Sequence, residues 1–209
     1  MSYPPPTVEV DPLFVNLDPK TILIRIYKTR YGNALDFNHF GSDGRFDHHE
    51  AKGKPNNKRG VYYISPITDS TSEDDQIKAL DSCLAEIAGE TKIIDNRADV
   101  RKVCWVNANR PLKLLDLRGD GASRVGAYDE ISPDPDRSRT QSWSRYFYQT
   151  YTDIDGIIYT SARIRVDAVI LYERAENCLD LQDDVYMSDP DLYPLMIQLA
   201  QDRGIIIDR

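Results

Sequence analysis

The sequence contains only three cysteines and three histidines in 209 residues. Cys83, Cys104 and Cys178 are odd in number and widely spaced, which does not suit a disulfide framework or the ligand spacing of a zinc site. This cysteine usage fits a reducing compartment, so we expect a cytoplasmic protein. The adjacent His48 and His49 have no second group of ligands near them in the sequence and are interpreted as a solvated pair in a polar loop. No metal site is predicted.

Long apolar runs and an excess of basic residues are also missing. No stretch approaches the roughly 18 apolar residues that cross a bilayer, and the proline-rich start lacks the basic and apolar regions of a signal peptide. Basic residues are outnumbered by acidic ones, 26 against 34, which gives a formal net charge of -8. A broad electrostatic grip on nucleic acid needs the opposite balance. We therefore expect neither a membrane nor a nucleic acid as a partner.

The composition is that of a globular domain. Hydrophobic residues make up 41% of the chain and charged residues 29%, which is well away from the composition of disordered proteins. Residues 1–20 are predicted to be an extended N-terminal segment, because prolines near the start cannot donate backbone hydrogen bonds. Residues 21–209 are predicted to form a single domain.

Short segments rich in β-branched and aromatic residues, bounded by turn residues, predict a sheet. Strands are predicted at residues 21–27, 61–65, 102–108, 112–117, 156–161 and 168–172. Helices are predicted at residues 73–88, at 142–151, and from residue 188 to just before residue 204. Because strands and helices do not alternate regularly, the predicted fold is α+β, with a bent mixed sheet as its core and helices on its flanks.

One acidic residue on a predicted helix stands out. The helix at residues 73–88 follows a Ser-x-x-Glu capping box at residues 70–73. Its apolar stripe consists of Ile77, Leu80, Leu84 and Ile87. Glu86 lies at the margin of this stripe, beside the small residues Ala79 and Cys83. A carboxylate there can face a cleft, and the alternative is a solvated charge on an exposed helix edge.

Six short segments, in this order, resemble the RES domain family across residues 22–174. They are Arg25-Ile26-Tyr27, Tyr31-Gly32-Asn33, Gly44-Arg45-Phe46-Asp47, Gly60 to Ser65, Leu84-Ala85-Glu86 and Thr160 to Arg163. The resemblance implies a fold related to ADP-ribosyltransferases and an enzyme that consumes NAD⁺ as a substrate, without a further cofactor. It also implies the toxin of a toxin-antitoxin pair, whose Xre-like antitoxin would cover the active-site cleft.

The resemblance also implies which residues form the active site. Arg45, Tyr63 and Glu86 would be its arginine, tyrosine and glutamate, and Ser161 and Arg25 would line the same cleft. For Arg45 the alternative is an ion pair with a nearby acid such as Asp47, and for Ser161 it is a turn or capping hydroxyl.

The tyrosine of the site is ambiguous by one position. Tyr62 and Tyr63 are adjacent on a predicted strand, so their side chains point to opposite faces. Tyr63 is preferred because the residues that follow it match the family's tyrosine-apolar-small pattern. Tyr27 is kept as a second candidate for the aromatic contact.

The chemistry of the implied reaction assigns a role to each residue type. Cleavage of the nicotinamide N-glycosidic bond builds positive charge on the ribose, which a fixed carboxylate such as Glu86 stabilises. Arginine suits the pyrophosphate because its planar fork can bond bidentately, and Arg25 and Arg45 are the candidates. A tyrosine ring offers a face to the cationic nicotinamide.

Three functions remain open at this point. The first is NAD⁺ cleavage with water or phosphate as acceptor, by a glycohydrolase or a phosphorylase. The second is protein ADP-ribosylation at the same site, and the third is a non-catalytic nucleotide-binding or interaction module. Because the chain is acidic, binding of a dinucleotide requires a local concentration of positive charge. We therefore expect Arg25 and Arg45 to converge on one cleft, with Arg30 and Arg163 as further candidates.

Overall fold

The computed structural model describes residues 10–40, 44–49, 59–89, 91–97, 100–127, 131–134 and 136–208. The proline-rich run near the start of the chain lies outside these ranges. Within them, no helix is long and apolar enough to span a membrane.

The described residues form an α+β fold, as predicted. The strands are β1 (Phe14–Leu17), β2 (Ile22–Lys28), β3 (Val61–Ile67), β4 (Ile93–Asp95), β5 (Arg101–Ala108), β6 (Leu112–Asp116), β7 (Gly156–Thr160), β8 (Asp167–Tyr172), β9 (Leu179–Tyr186) and β10 (Ile206–Asp208). The α-helices are α1 (Glu73–Ala88), α2 (Asp120–Arg124), α3 (Arg137–Thr150) and α4 (Tyr193–Asp202), and short 3₁₀ helices lie at Thr29–Tyr31 and Glu173–Cys178.

Eight of the strands form one mixed sheet in the order β1-β6-β7-β8-β3-β2-β5-β9. The β6-β7 pair is parallel, and the other neighbours are antiparallel. β4 and β10 form a separate parallel pair. The strands β3, β7 and β8 therefore lie side by side near the middle of the main sheet.

Side chains alternate across β3, so its two faces meet different parts of the core. On one face, Tyr62 and Ile64 pack with Leu23 of β2. On the other face, Val61 belongs to the apolar cluster that includes α3, and Ile67 belongs to the cluster that includes α1. The helices α1 and α3 therefore cover the same face of the sheet.

The start of α1 differs slightly from the predicted one. Its N-cap is Ser72, whose hydroxyl accepts a hydrogen bond of 3.3 Å from the backbone N–H of Asp75. The predicted capping box at residues 70–73 is therefore wrong by two positions. Glu73, Asp74 and Asp75 occupy the first turn, where carboxylates interact favourably with the helix dipole.

Several elements go beyond the predicted set. β1 pairs with β6, so residues 14–17 of the segment predicted to be an extended terminus belong to the sheet. β9 is an edge strand with a mostly exposed, acid-rich sequence, and it lacks the apolar alternation by which strands are predicted. Helix α3 begins at Arg137, because the Asp136 side chain accepts hydrogen bonds from the first-turn N–H groups of Ser138 and Arg139.

The two adjacent histidines are buried, which corrects their interpretation as a solvated pair. His48 is fully buried, and its Nε2 lies 3.2 Å from Glu173 Oε2. His49 is nearly as buried, and its Nε2 lies 3.0 Å from the carbonyl oxygen of Asn38. The ring of His48 packs against that of Tyr148 on α3, at a centroid distance of 4.3 Å. The two histidines are buried because α3 and the 3₁₀ helix Glu173–Cys178 cover the loop that carries them.

Candidate active site

The last turn of α1 is joined to the end of β7 by a side-chain hydrogen bond. Ser161, which follows β7 directly, is fully buried, and its Oγ donates to Glu86 Oε1 over 2.9 Å. The backbone of Ser161 is itself held by Val166 and Arg165, whose groups bond to it at 2.8 and 2.9 Å. The Glu86 side chain remains 36% exposed. One carboxylate oxygen is therefore anchored while the group stays accessible.

Arg163 lies close to the same carboxylate. Its backbone N–H donates to Ser161 Oγ over 3.3 Å, and its Nη1 donates to the carbonyl oxygen of Gly89, which ends α1, over 3.0 Å. Its Nε lies 4.0 Å from Glu86 Oε2. The turn after β7 thus brings a hydroxyl and a cation to the two oxygens of Glu86.

Glu86 opens onto a cavity between α1 and the sheet. The lining residues are Ile26, Tyr63, Ile64, Ser65, Cys83, Glu86, Ile87, Tyr159 and Ala168. Among these described residues, Glu86 carries the sole carboxylate. The remaining walls are apolar and aromatic side chains with a few hydroxyl and thiol groups. In such surroundings a charge acts through a lower effective dielectric constant than in water.

Tyr63 forms one wall of the cavity and is held at its hydroxyl. Its Oη donates to Asp47 Oδ1 over 2.7 Å and accepts a hydrogen bond of 3.1 Å from the backbone N–H of Phe46. Burial, and then the charge of Asp47, raise the pKa of Tyr63 well above its ordinary value. The phenol therefore stays protonated. Tyr62 is fully buried on the opposite face of the sheet, where its hydroxyl donates a hydrogen bond to the carbonyl oxygen of Ala34.

Arg45 lies in a turn, residues 44–47, that is hydrogen-bonded to α3. Its Nη1 donates to the carbonyl oxygen of Asp134 over 2.5 Å, and its own carbonyl oxygen accepts from the hydroxyl of Thr140. Among the described residues no carboxylate forms an ion pair with Arg45, so the alternative pairing with Asp47 is not the arrangement found. The guanidinium keeps donors for another partner.

The charges of Arg45 and Glu86 both act on Tyr159. Burial, and then the charge of Glu86, raise the pKa of the Tyr159 hydroxyl, and the charge of Arg45 opposes this rise. Glu86, Tyr63 and Tyr159 line the cavity, and Arg45 is not among its lining residues. Ser161 and Arg163 adjoin the cavity through their contacts with Glu86.

Arg25 and Tyr27 do not reach this space, which corrects their predicted place in the cleft. Ile26 lines the cavity, and its neighbours on the strand point to the opposite face. There Arg25 donates from Nη1 to the carbonyl oxygens of Ala34 and Asp36, at 3.2 and 2.8 Å. Tyr27 donates to Asp184 Oδ1 over 3.0 Å. Both side chains therefore form hydrogen bonds on the face of the sheet opposite the cavity.

Arg30 is also apart from the cavity. It lies exposed in the 3₁₀ helix Thr29–Tyr31, with its guanidinium 4.5 Å from the ring centroid of Tyr31. Arg25 and Arg30 thus lie away from the cavity, which corrects their predicted convergence. Arg163 lies beside Glu86, and the convergence of Arg45 with it on a substrate cleft stays a prediction.

Sequence reasoning overlooked Tyr159 and Ser65 as cavity residues. Tyr159 precedes Ser161 by two positions, and residues two apart on a strand share a face, so the assignment of Ser161 contained a signal for Tyr159. Cys83 also lines the cavity, but it donates to the carbonyl oxygen of Ile24 over 3.2 Å, and burial raises its pKa to about 12. A thiol held in this way is a poor nucleophile.

Comparisons with known proteins identify the family and a similar fold. The model of the RES domain family, described as "RES domain", matches residues 22–192. None of the curated proteins matches the sequence. Among solved structures, the fold is similar to a chain in the crystal structure of the M. tuberculosis MbcT-MbcA toxin-antitoxin complex. The TM-score is 0.57 and the identity 14%, over 87% of this chain and 92% of that chain.

Proposed function

Because the chain belongs to the RES domain family, we propose that it is an enzyme that degrades NAD⁺ by cleaving the nicotinamide N-glycosidic bond. The observation that carries this proposal is the hydrogen bond from Ser161 to Glu86 beside an apolar and aromatic cavity. It supplies a carboxylate of fixed orientation where a sugar cation would form.

Glu86 would stabilise the positive charge that develops on the ribose. As neutral nicotinamide leaves, the ribose becomes oxocarbenium-like, and a carboxylate already in place requires no reorganisation at that moment. Ser161 holds one oxygen of Glu86, so the other is free to face the ribose or one of its hydroxyls. The Nε of Arg163 lies 4.0 Å from that second oxygen and places a cation beside it.

Tyr63 and Tyr159 would form the walls that receive the nicotinamide ring. In NAD⁺ this ring is cationic, and an aromatic face attracts it by roughly 1 kcal/mol or more when water is excluded. The attraction to the ring's charge disappears as the neutral base leaves. The two tyrosines therefore bind the substrate without retaining the product.

Arg45 would bind the pyrophosphate. Its guanidinium already donates to one carbonyl oxygen, which fixes its plane, and a planar fork pairs bidentately with phosphate oxygens. The chain is acidic overall, so this local cation and Arg163 supply the positive potential that attracts an anionic dinucleotide.

A protein partner is part of the proposal. The structurally similar MbcT chain was crystallised in a toxin-antitoxin complex. We propose that this chain is likewise the toxin of such a pair, acting on cytoplasmic NAD⁺, and that an Xre-like antitoxin blocks it by covering the cavity beside Glu86.

Product analysis tests the proposal and identifies the acceptor. The purified protein is incubated with NAD⁺ in buffers with and without inorganic phosphate, and the products are separated by chromatography. Free nicotinamide with ADP-ribose indicates a glycohydrolase, and nicotinamide with phosphorylated ADP-ribose that requires phosphate indicates a phosphorylase. Nicotinamide release that depends on an added protein indicates an ADP-ribosyltransferase. Absence of nicotinamide with phosphate, without phosphate and with an added protein would refute NAD⁺ cleavage.

A further inference from the structure

A buried carboxylate behind the cavity wall links two residues of the proposed site. Asp47 is 2% exposed. Its Oδ1 accepts the hydrogen bond of 2.7 Å from the Tyr63 hydroxyl, and its Oδ2 accepts one of 3.1 Å from the backbone N–H of Gly44. Gly44 directly precedes Arg45. One side chain therefore holds both the phenol of Tyr63 and the turn that carries Arg45.

The packing around this carboxylate is tight. A Cβ built on Gly44 would overlap Asp47 Oδ1 and the hydroxyl oxygen of Tyr63. The turn can therefore approach these two atoms as closely as it does only because residue 44 has no side chain. Helix α3 also holds the turn, since Gln141 Nε2 donates a hydrogen bond of 2.9 Å to the Gly44 carbonyl oxygen.

Asp47 stands behind the cavity and not in its wall. Among the described residues that line the cavity, Tyr63 is present and Asp47 is not. The hydroxyl of Tyr63 is already engaged as donor to Asp47 and as acceptor from Phe46. This leaves the ring, and not the hydroxyl, to contact a ligand, and the two hydrogen bonds fix its orientation.

We propose that Asp47 is a positioning residue for NAD⁺ cleavage, which acts by fixing the Tyr63 ring and the Arg45 turn relative to Glu86. The inference rests on the proposed function. Misplacement of groups that orient a substrate by about 1 Å can cost roughly 100-fold in rate. Loss of the Asp47 contact should therefore impair turnover even though Asp47 does not touch the substrate.

A double-mutant cycle between Asp47 and Tyr63 tests this role. The kcat and KM for NAD⁺ are measured for the wild type, Asp47→Asn, Tyr63→Phe and the double variant, each checked for folding by thermal unfolding. Each single change should lower kcat/KM by roughly 10-fold or more. Because both remove the same contact, the double variant should be little worse than the poorer single variant. Losses that multiply would overturn the positioning role.

Asp155→Asn serves as the matched control. Asp155 is also a buried aspartate that accepts a backbone hydrogen bond, of 2.9 Å from Lys113, and it pairs with Arg110. It does not line the cavity. Its substitution should lower the melting temperature while leaving kcat/KM close to the wild-type value. An equal loss of kcat/KM in Asp155→Asn would show that general destabilisation explains the effect.

The outcomes separate the two proposals. A wild-type protein that releases no nicotinamide refutes the proposed function and with it the role of Asp47. An active wild type with independent effects of Asp47 and Tyr63 refutes the positioning role alone. If Asp47→Asn does not fold, Gly44→Ala replaces it in the cycle, because a methyl group there disturbs the same two atoms while Asp47 is kept. Multiplying losses for Gly44→Ala and Tyr63→Phe would then overturn the role.

Discussion

Ser161 and Glu86 are 75 residues apart in the sequence, yet the Ser161 hydroxyl donates a hydrogen bond of 2.9 Å to the Glu86 carboxylate. The bond fastens the last turn of α1 to the turn that follows β7. It orients a carboxylate toward a cavity whose other walls are apolar and aromatic.

Ser161→Ala should impair catalysis more than it impairs folding. The change removes a hydrogen bond to a charged group, which is worth about 1.5–3 kcal/mol, and releases Glu86 from its fixed orientation. We expect kcat for nicotinamide release to fall by roughly 10-fold or more, with a modest loss of stability in urea unfolding.

Ser144→Ala is the control for that variant. Ser144 is also fully buried, and its hydroxyl lies 3.2 Å from that of Tyr172 on the α3 side of the core. It should show a comparable loss of stability without a loss of kcat. Equal activity losses in the two variants would contradict a specific link between Ser161 and Glu86.

Arg45→Lys should weaken the use of NAD⁺ although the charge is conserved. Lysine cannot reproduce a planar bidentate contact with phosphate, so we expect KM to rise at least about 10-fold. Arg25→Lys is the matched comparison, because Arg25 lies on the opposite face of the sheet. That variant should lose stability and retain its KM. The reverse pattern would mean that Arg25, not Arg45, meets the substrate.

The His48–Glu173 pair predicts acid sensitivity of folding. Burial lowers the pKa of His48 below its ordinary 6.5. Burial opposes ionisation of Glu173, but hydrogen bonds from His48, Tyr148 and Gly60 outweigh it and lower its pKa to about 2. Both groups bind protons more readily in the unfolded chain. The free energy of unfolding should therefore decrease as the pH is lowered, first below about 6.5 and again below about 4.5.

Urea unfolding between pH 7.5 and pH 4 measures this dependence. His48→Gln should flatten the upper part of the stability curve, and Glu173→Gln the lower part, relative to the wild type. Parallel curves for all three proteins would show that other groups govern the acid response.

The sequence predicted much of this fold, because most strands and helices carry their own periodicity. It also predicted that Glu86 lies at the margin of an apolar stripe. It failed for Arg25, because alternation shows which residues share a strand face but not which face a distant helix covers. β9 escaped prediction for a related reason. An exposed edge strand such as Leu179–Tyr186 can be acidic, since much of its surface is in water.

The partners within the site could be found only in three dimensions. The bond from Tyr63 to Asp47 joins a strand to a turn, and the contact of Arg163 with Glu86 joins a turn to a helix. Neither pairing leaves a periodic signal in the sequence. The resemblance to a family supplied Arg45, Tyr63, Glu86 and Ser161 as candidates, and packing supplied their neighbours.

The proposed reaction depends on the Glu86 carboxylate, so the decisive measurement is the rate of nicotinamide release by Glu86→Gln. The substitution keeps the shape of the side chain and removes its charge. Glu73→Gln, in the exposed first turn of the same helix, is the matched control. We expect a folded Glu86→Gln protein with at least a roughly 100-fold lower rate, beside a Glu73→Gln protein as active as the wild type. A folded Glu86→Gln protein that releases nicotinamide at the wild-type rate would show that the Glu86 carboxylate is not required for cleavage.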